Sequence, residues 1–186
     1  AQIINPKDAG FLITWMGIGV GQCVLEAGHG SGGLALHIAN VLGTSGTLVS
    51  VENRPEHAVV GQENMERAAG SMREFPTWVL LEGDVAEASF DGIVEDFDAI
   101  ILDLPEPWLV IASLAKKLRY GGKIACYCPV SSQFEKAWNA CEEAGLSIDW
   151  AGEMMERVWT KASRGGVRPG NTPMGHTAFL LIAERT

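Results

Sequence analysis

At 186 residues and 47% hydrophobic content, the chain is sized for one domain with a full core and is too apolar to be disordered. A net charge of −9 argues against broad, non-specific attraction to nucleic acid, which draws on excess lysine and arginine, but leaves room for a local basic patch. No apolar run approaches the ~18 residues of a membrane span, and residues 1–8 lack the charged, apolar and small-residue regions of a secretory signal. The chain does not begin with Met, which reads as a processed protein or an excised domain. Cys23, Cys126, Cys128 and Cys141 include no C-x2-C pair. They read as small buried thiols of a reducing compartment, so a cytoplasmic protein with no metal site is expected.

Residues 22–27 form a short apolar run, expected as the first buried strand. The pattern turns helical over residues 33–42, with Ser31 as its cap. Residues 47–52 make the second strand. Pro55 sits where a helix start tolerates proline, and that helix runs to about residue 69. Strands follow at residues 78–81 and 97–103. A helix over residues 108–118 is stopped by Tyr120-Gly121-Gly122, and a fifth strand spans residues 123–128. Cys126 and Cys128 share one face of that strand and Tyr127 takes the other. Ser131 or Ser132 caps a helix that ends near Gly145.

The rhythm then breaks. Residues 146–160 read as a long strand, residues 161–173 as a glycine-, proline- and arginine-bearing loop, and residues 176–183 as an apolar closing strand. No helical pattern separates these last two strands, so they are expected to pair antiparallel. The β–α units before them give a parallel, doubly wound sheet with helices on both faces. The expected fold is therefore α/β and Rossmann-like: a mostly parallel seven-stranded sheet with an antiparallel C-terminal hairpin, in a single domain over residues 1–186.

Strand ends carry the chemistry. Gly28, Gly30 and Gly33 fit G-x-G-x-x-G. Glycine lets the backbone turn sharply and lets a ligand approach the main chain, and the following helix offers free N–H groups to an anion. A pyrophosphate suits that cradle, and so does the carboxylate of a methionine moiety; the motif does not choose. Glu52 ends the second strand, where a carboxylate can accept from both hydroxyls of a ribose. Asp84, in Glu82-Gly83-Asp84-Val85, can meet an adenine amino group. Alone, each acid reads as a solvated strand end. Together with the glycine loop they fall on the edge where open α/β sheets bind ligands. Asp103-Leu104-Pro105-Glu106-Pro107-Trp108 follows the fourth strand, its prolines stiffening the exit and holding Asp103 at a pocket floor. Trp108 reads either as a core residue or as a platform for a flat substrate. Arg157, Lys161, Arg164 and Arg168, with no acid between Arg157 and Ala183, read either as a solvated loop or as a strip for phosphates.

These residues fall into longer segments: Gln2-Ile3-Ile4-x-Pro6-Lys7-Asp8, Val24-Leu25-Glu26-Ala27-Gly28-x-Gly30-Ser31-Gly32, Glu52-x-Arg54-Pro55-x-His57, Leu102-Asp103-Leu104-x-Glu106-Pro107-Trp108, Arg168-Pro169 and Gly175-His176-Thr177-Ala178-Phe179-Leu180. With them the sequence resembles, over nearly its whole length, the tRNA (adenine-58-N1)-methyltransferases of bacteria and archaea, which are class I S-adenosylmethionine-dependent enzymes. The resemblance implies cofactor contacts at Gln2, at Gly28, Gly30, Ser31, Gly32, Gly33 and Leu34, and at Glu52, His57, Asp84 and Val85. It implies that Asp103 touches both cofactor and target base and that Tyr127 belongs to the catalytic pocket. Trp108, Arg164, Arg168 and His176 are the expected substrate-binding residues. The resemblance also implies a tRNA partner, a homotetramer, S-adenosylhomocysteine as product and no metal. Two departures stand out. Asn5 occupies a position where many members carry Tyr near the target base, and members usually have a small N-terminal β domain ahead of the first segment.

Adenine N1 has an in-plane lone pair and attacks a sulfonium methyl group directly. The base becomes cationic, so a fixed carboxylate accepting from its N6 amino group would stabilise the growing charge; Asp103 is the expected residue. N1 lies on the Watson–Crick edge, so the base must leave its pairing to react. Competing readings are a methyltransferase of a small molecule or other RNA, such as the carboxylates of a tetrapyrrole precursor, and a non-catalytic cofactor-binding subunit.

Overall fold

The computed structural model describes residues 3–186. Helix α1 (Pro6–Trp15) opens the described chain, capped by Asn5, whose side chain accepts from the Lys7 N–H at 3.2 Å. There follow β1 (Cys23–Ala27), α2 (Gly33–Leu42), β2 (Thr47–Glu52), α3 (Pro55–Ser71), β3 (Thr77–Glu82) and β4 (Phe97–Leu102). After α4 (Ile111–Leu114) come β5 (Leu118–Cys128), α5 (Ser131–Glu143), β6 (Ser147–Gly152), β7 (Trp159–Lys161), β8 (Val167–Pro169) and β9 (Phe179–Glu184).

Seven strands form one sheet in the order β3-β2-β1-β4-β5-β9-β6, while β7 and β8 pair apart from it. β1 through β5 are parallel; β9 runs antiparallel to both β5 and β6. The expected fold is the one observed. Alternate strand residues face opposite layers. Val24, Leu48, Ala99, Ile101 and Ala125 pack with α1 and α2, whereas Leu25, Val49, Ile100, Leu102 and Cys126 pack with α4 and α5. No helix among the described residues is long and apolar enough to cross a membrane.

Four local expectations are corrected. Ser31 does not cap α2: the capping position is Gly32, at φ +81°, and no side chain bonds there. The first turn of α2 thus has no side-chain acceptor on its N–H groups. Residues 108–118 are not one helix but a short α4 between two 3-10 turns, Pro107–Leu109 and Ala115–Lys117. Tyr120-Gly121-Gly122 is no helix stop. β5 runs through it as a bulge, where a Cβ on Gly122 would meet the Arg119 carbonyl at 2.8 Å. Neither Ser131 nor Ser132 caps α5; Val130 precedes it, and the Gln133 side chain accepts from the Val130 N–H at 3.3 Å.

The tail is also reorganised. The expected long strand splits at Gly152, its end forms most of β7, and the expected loop holds β8 and the turn of the β7–β8 hairpin, made by Gly165 and Gly166 at φ +90° and +81°. Lys7 fastens α1 to this tail: its ammonium donates to Asp8, to the Met154 carbonyl and to Thr177, each at 2.7 Å. Asp8 is fully buried and also accepts from the Thr177 hydroxyl at 2.6 Å.

Candidate active site at the carboxyl edge of the sheet

Strand register assembles the site. Ala27 of β1 lies opposite Val51 of β2 and Leu102 of β4, so the residues that follow each strand become neighbours. The Asp103 N–H donates to the Ala27 carbonyl at 2.9 Å, and the Gly28 N–H donates to the Val51 carbonyl at 3.0 Å. A cavity of about 470 Å³ opens there, with Glu26, the glycine loop, Glu52, Asn53, Arg54, Asp103 and Leu104 in its lining. Gly28 must be glycine: at φ +92°, any Cβ would collide with the Asp103 carbonyl. Gly33 lets the opening segment close in, since a Cβ there would lie 2.5 Å from Ile3 Cγ2.

Glu52 is 2% exposed. One carboxylate oxygen accepts from the Gly30 N–H at 2.7 Å, and the other from the Arg54 N–H at 3.0 Å and its Nε at 3.2 Å. Burial pushes its pKa up, but these backbone and guanidinium donors outweigh it and hold the group below its ordinary value. Asp103 goes the other way. Burial first, then the Glu26 charge, raises it to about 7, with Arg54 opposing and Glu52 adding. The cavity therefore gathers three carboxylates against the guanidinium of Arg54, a field suited to a compact cationic ligand.

Gly28, Gly30, Ser31, Gly33, Leu34, Glu52 and Asp103 all line this cavity. Asp84 and Val85 line a side recess of about 30 Å³ that shares Gly28, Asn53 and Leu104 with it. Asp84 is exposed, and its carboxylate accepts from the Ala86 N–H at 2.9 Å. Gln2 lies outside the described residues.

Other expected residues stand apart. Gly32 shapes the loop without lining the cavity. His57 is partly buried on the first turn of α3 and lines none of these spaces. Trp108 packs beside α5 with the Lys136 ammonium 4.5 Å from its ring centre. Tyr127 is 2% exposed, its hydroxyl near Thr177 but without a hydrogen bond among the described residues. Burial, then the charges of Asp8 and Asp103, push it to about 12 against the opposing Thr177 hydroxyl. Arg164 sits at the tip of the β7–β8 hairpin, and Arg168 donates to Asn171 at 3.3 Å. His176 reaches the cavity only indirectly. Its ring bridges Glu153 at 2.9 Å and the carbonyl of Pro129 at 2.8 Å, and Pro129 lines the cavity.

The sequence places Glu26 in the cofactor-holding segment without a role of its own, and gives Asn53, Arg54 and Gln133 no place in the site, although all four line the cavity. Glu26 carried a signal: a carboxylate inside an otherwise buried strand requires partners. Gln133 carried none; it comes from α5, and its amide donates to the Pro105 carbonyl at 2.9 Å, fixing the segment after Asp103.

The family model of the tRNA methyltransferase complex GCD14 subunit matches residues 1–164. The chain belongs to this family. It is 34% identical to the tRNA (adenine(57)-N(1)/adenine(58)-N(1))-methyltransferase TrmI of Methanocaldococcus jannaschii, over 96% of this chain and 70% of that protein. It is 33% identical to the tRNA (adenine(58)-N(1))-methyltransferase TrmI of Thermus thermophilus, over 97% of this chain and 68% of that protein. Among solved structures, an S-adenosylmethionine-dependent O-methyltransferase of Thermotoga maritima superimposes with a TM-score of 0.85 at 27% identity, covering 100% of this chain and 67% of its own. TrmI of Aquifex aeolicus shares the fold with a TM-score of 0.83 at 24% identity, covering 100% of this chain and 71% of its own. Family membership thus makes the chain an S-adenosylmethionine-dependent methyltransferase. The residues fit that cofactor: a glycine cradle that a Cβ would fill, an α2 terminus with no side-chain cap, and three carboxylates in the cavity lining that suit its cationic centre.

Proposed function

We propose that the chain methylates N1 of adenine 58 in tRNA, the position named for its relatives in Thermus thermophilus and Methanocaldococcus jannaschii. The observation that carries the assignment is Asp103: a carboxylate fixed by β4 beside the glycine loop, in the same cavity as Glu52. When bound, S-adenosylmethionine supplies an electrophilic methyl group on a sulfonium centre. Glu52 would accept from the cofactor's ribose hydroxyls. Both its oxygens already hold donors, and Arg54, whose side chain is 51% exposed, is the partner free to swing away. Asp84 and Val85 would take the adenine end of the cofactor, and the glycine loop and α2 terminus would hold the methionine carboxylate.

Asp103 accepts from the N6 amino group of the target adenine and stabilises the positive charge that grows on the base as N1 attacks. It must be ionised to do so. A group that titrates at about 7 when alone is pulled toward its charged form by a cationic cofactor. Holding N1 in line with the methyl group contributes further acceleration. No step calls for a metal. Tyr127, buried on the neighbouring strand β5, supports the pocket wall, and the exposed Arg164 and Arg168 meet the tRNA backbone. A homotetramer belongs to the same reading, favoured by the exposed Val158, Trp159 and Val167 of the hairpin; sedimentation analysis tests it.

Incubating the chain with methyl-labelled cofactor and an unmodified tRNA transcript, then digesting and mapping the nucleosides by mass spectrometry, tests the proposal. Label recovered as 1-methyladenosine at position 58 is the expected result. Cofactor binding without transfer to RNA would instead favour a small-molecule acceptor or a non-catalytic subunit.

A further inference from the structure

Beneath the glycine loop lies a chain of side chains that the mechanism above does not use. Trp78 Nε1 donates to Ser50 Oγ at 3.0 Å, and Ser50 Oγ donates to Glu26 Oε2 at 3.0 Å. His29 Nδ1 meets the same Oε2 at 2.9 Å. Glu26, His29 and Ser50 are each at most 3% exposed. A buried carboxylate is costly unless donors surround it. Here both donors converge on one oxygen. Oε1 accepts nothing from the described residues, yet Glu26 lines the cavity, so Oε1 is the atom left for a ligand.

The imidazole itself meets no ligand: its side chain is 0% exposed. Its Nε2 has no hydrogen-bond partner among the described residues. The ring is wedged against α3, where a Cβ on Gly61 would collide with Cδ2 and Nε2, and a Cβ on Gly32 would lie 3.3 Å from Cε1. Glycine inside a helix weakens it, so Gly61 is explained by the ring it accommodates. An unpaired buried nitrogen is itself unfavourable, and space-filling alone would favour an apolar side chain. The benefit of histidine must lie in its other nitrogen, the one on Glu26.

We propose that His29 is a positioning residue. Its Nδ1–H, together with Ser50, holds the Glu26 carboxylate by one oxygen and turns the other into the cavity to receive the α-ammonium group of the cofactor. The methionine end carries a carboxylate and an ammonium on one carbon. With the carboxylate on the glycine loop, the ammonium falls beside Glu26, two residues before Gly28. This inference rests on reading the cavity as the cofactor site.

Calorimetry on the chain with two ligands tests it. S-adenosylhomocysteine carries the amino-acid tail; 5′-methylthioadenosine lacks it. His29→Leu removes the donor and is expected to weaken S-adenosylhomocysteine about tenfold, the size of a lost hydrogen bond to a charged group, while leaving methylthioadenosine unchanged. His29→Asn, whose amide N–H stands in for Nδ1–H, restores most of the affinity. Ser50→Ala, which removes the second donor to Glu26 and keeps the imidazole, causes a smaller loss with the same selectivity and keeps the test open if His29→Leu fails to fold. Equal losses for both ligands, no loss in Ser50→Ala, or no recovery in His29→Asn would overturn the inference. A wild-type chain that binds neither ligand would overturn the cofactor reading itself, so the two failures are distinguishable.

Discussion

The carboxyl edge of the parallel strands and the antiparallel tail treat charge in opposite ways. At the edge, Glu26, Glu52 and Asp103 are drawn into one cavity, and the first two are held by specific donors. In the tail, Arg157, Lys161, Arg164 and Arg168 are exposed, and the Arg157 and Arg168 side chains donate to Gly170 and Asn171 nearby. The first arrangement is desolvated and rigid, and suits a compact cation. The second is solvated and adaptable, and suits a polyanion whose contacts are many and individually weak. A net charge of −9 averages over both and describes neither.

The sharpest way to break this contrast is at Asp103. Asp103→Asn is expected to lower single-turnover methyl transfer at saturating cofactor by about a hundredfold or more; near-normal turnover would remove chemistry from the edge. For wild type, kcat/KM should rise through the acid limb set by Asp103, at about 7 in the free enzyme, and that limb should vanish in the variant. The stability sign follows. The folded value lies above the ordinary 3.8, so the fold binds the extra proton and weakens as pH climbs from about 4 through about 7. Asp103→Asn should therefore melt higher than wild type at pH 8 and show no such advantage at pH 4.

Next in size is Gly28→Ala. A positive φ and a collision with the Asp103 carbonyl should cost on the order of 2 kcal/mol in denaturant unfolding and abolish cofactor binding. Gly70→Ala on α3, with nothing within 4 Å of the added Cβ, should be neutral or slightly stabilising, which separates site strain from a general intolerance of side chains. In the tail, Arg164→Ala with Arg168→Ala should weaken tRNA binding by roughly tenfold and lower its salt slope by about 2, while cofactor affinity stays unchanged. An unaltered slope would leave the tail a solvated hairpin.

The smallest expected effect is at the junction of the two regions. The Pro129 carbonyl and the Glu153 carboxylate raise the pKa of His176. A raised histidine contributes most below its ordinary 6.5 and loses that contribution as pH rises through the folded value. Limited proteolysis within residues 153–175 should speed up modestly above neutral pH in wild type, and His176→Gln should remove the difference.

What the sequence disclosed followed the same divide. Glu52 and Asp103 were legible because each ends an apolar strand, and the parallel order places such ends side by side. Glu26 and His29 fell within the cofactor-holding segment, but their own roles were obscured, Glu26 by lying inside its strand and His29 by occupying the variable position of the glycine motif. Gly121-Gly122 misled because a helix stop and a β-bulge use the same residue. The tail was least legible. Strands of three residues, such as β7 and β8, carry no period to read. Trp108 and Tyr127 were visible as residues, but their burial depends on α5 and on the Asp8–Thr177 contact, which lie far away in the chain.

The central claim is that the carboxyl edge holds S-adenosylmethionine with its reactive end toward Asp103. A crystal structure with S-adenosylhomocysteine measures this directly. The account predicts ribose hydroxyls on Glu52, the adenine beside Asp84 and Val85, and the sulfur facing the Asp103 carboxylate across the glycine loop. Adenosine seated away from Glu52, or a sulfur turned from Asp103, would contradict it.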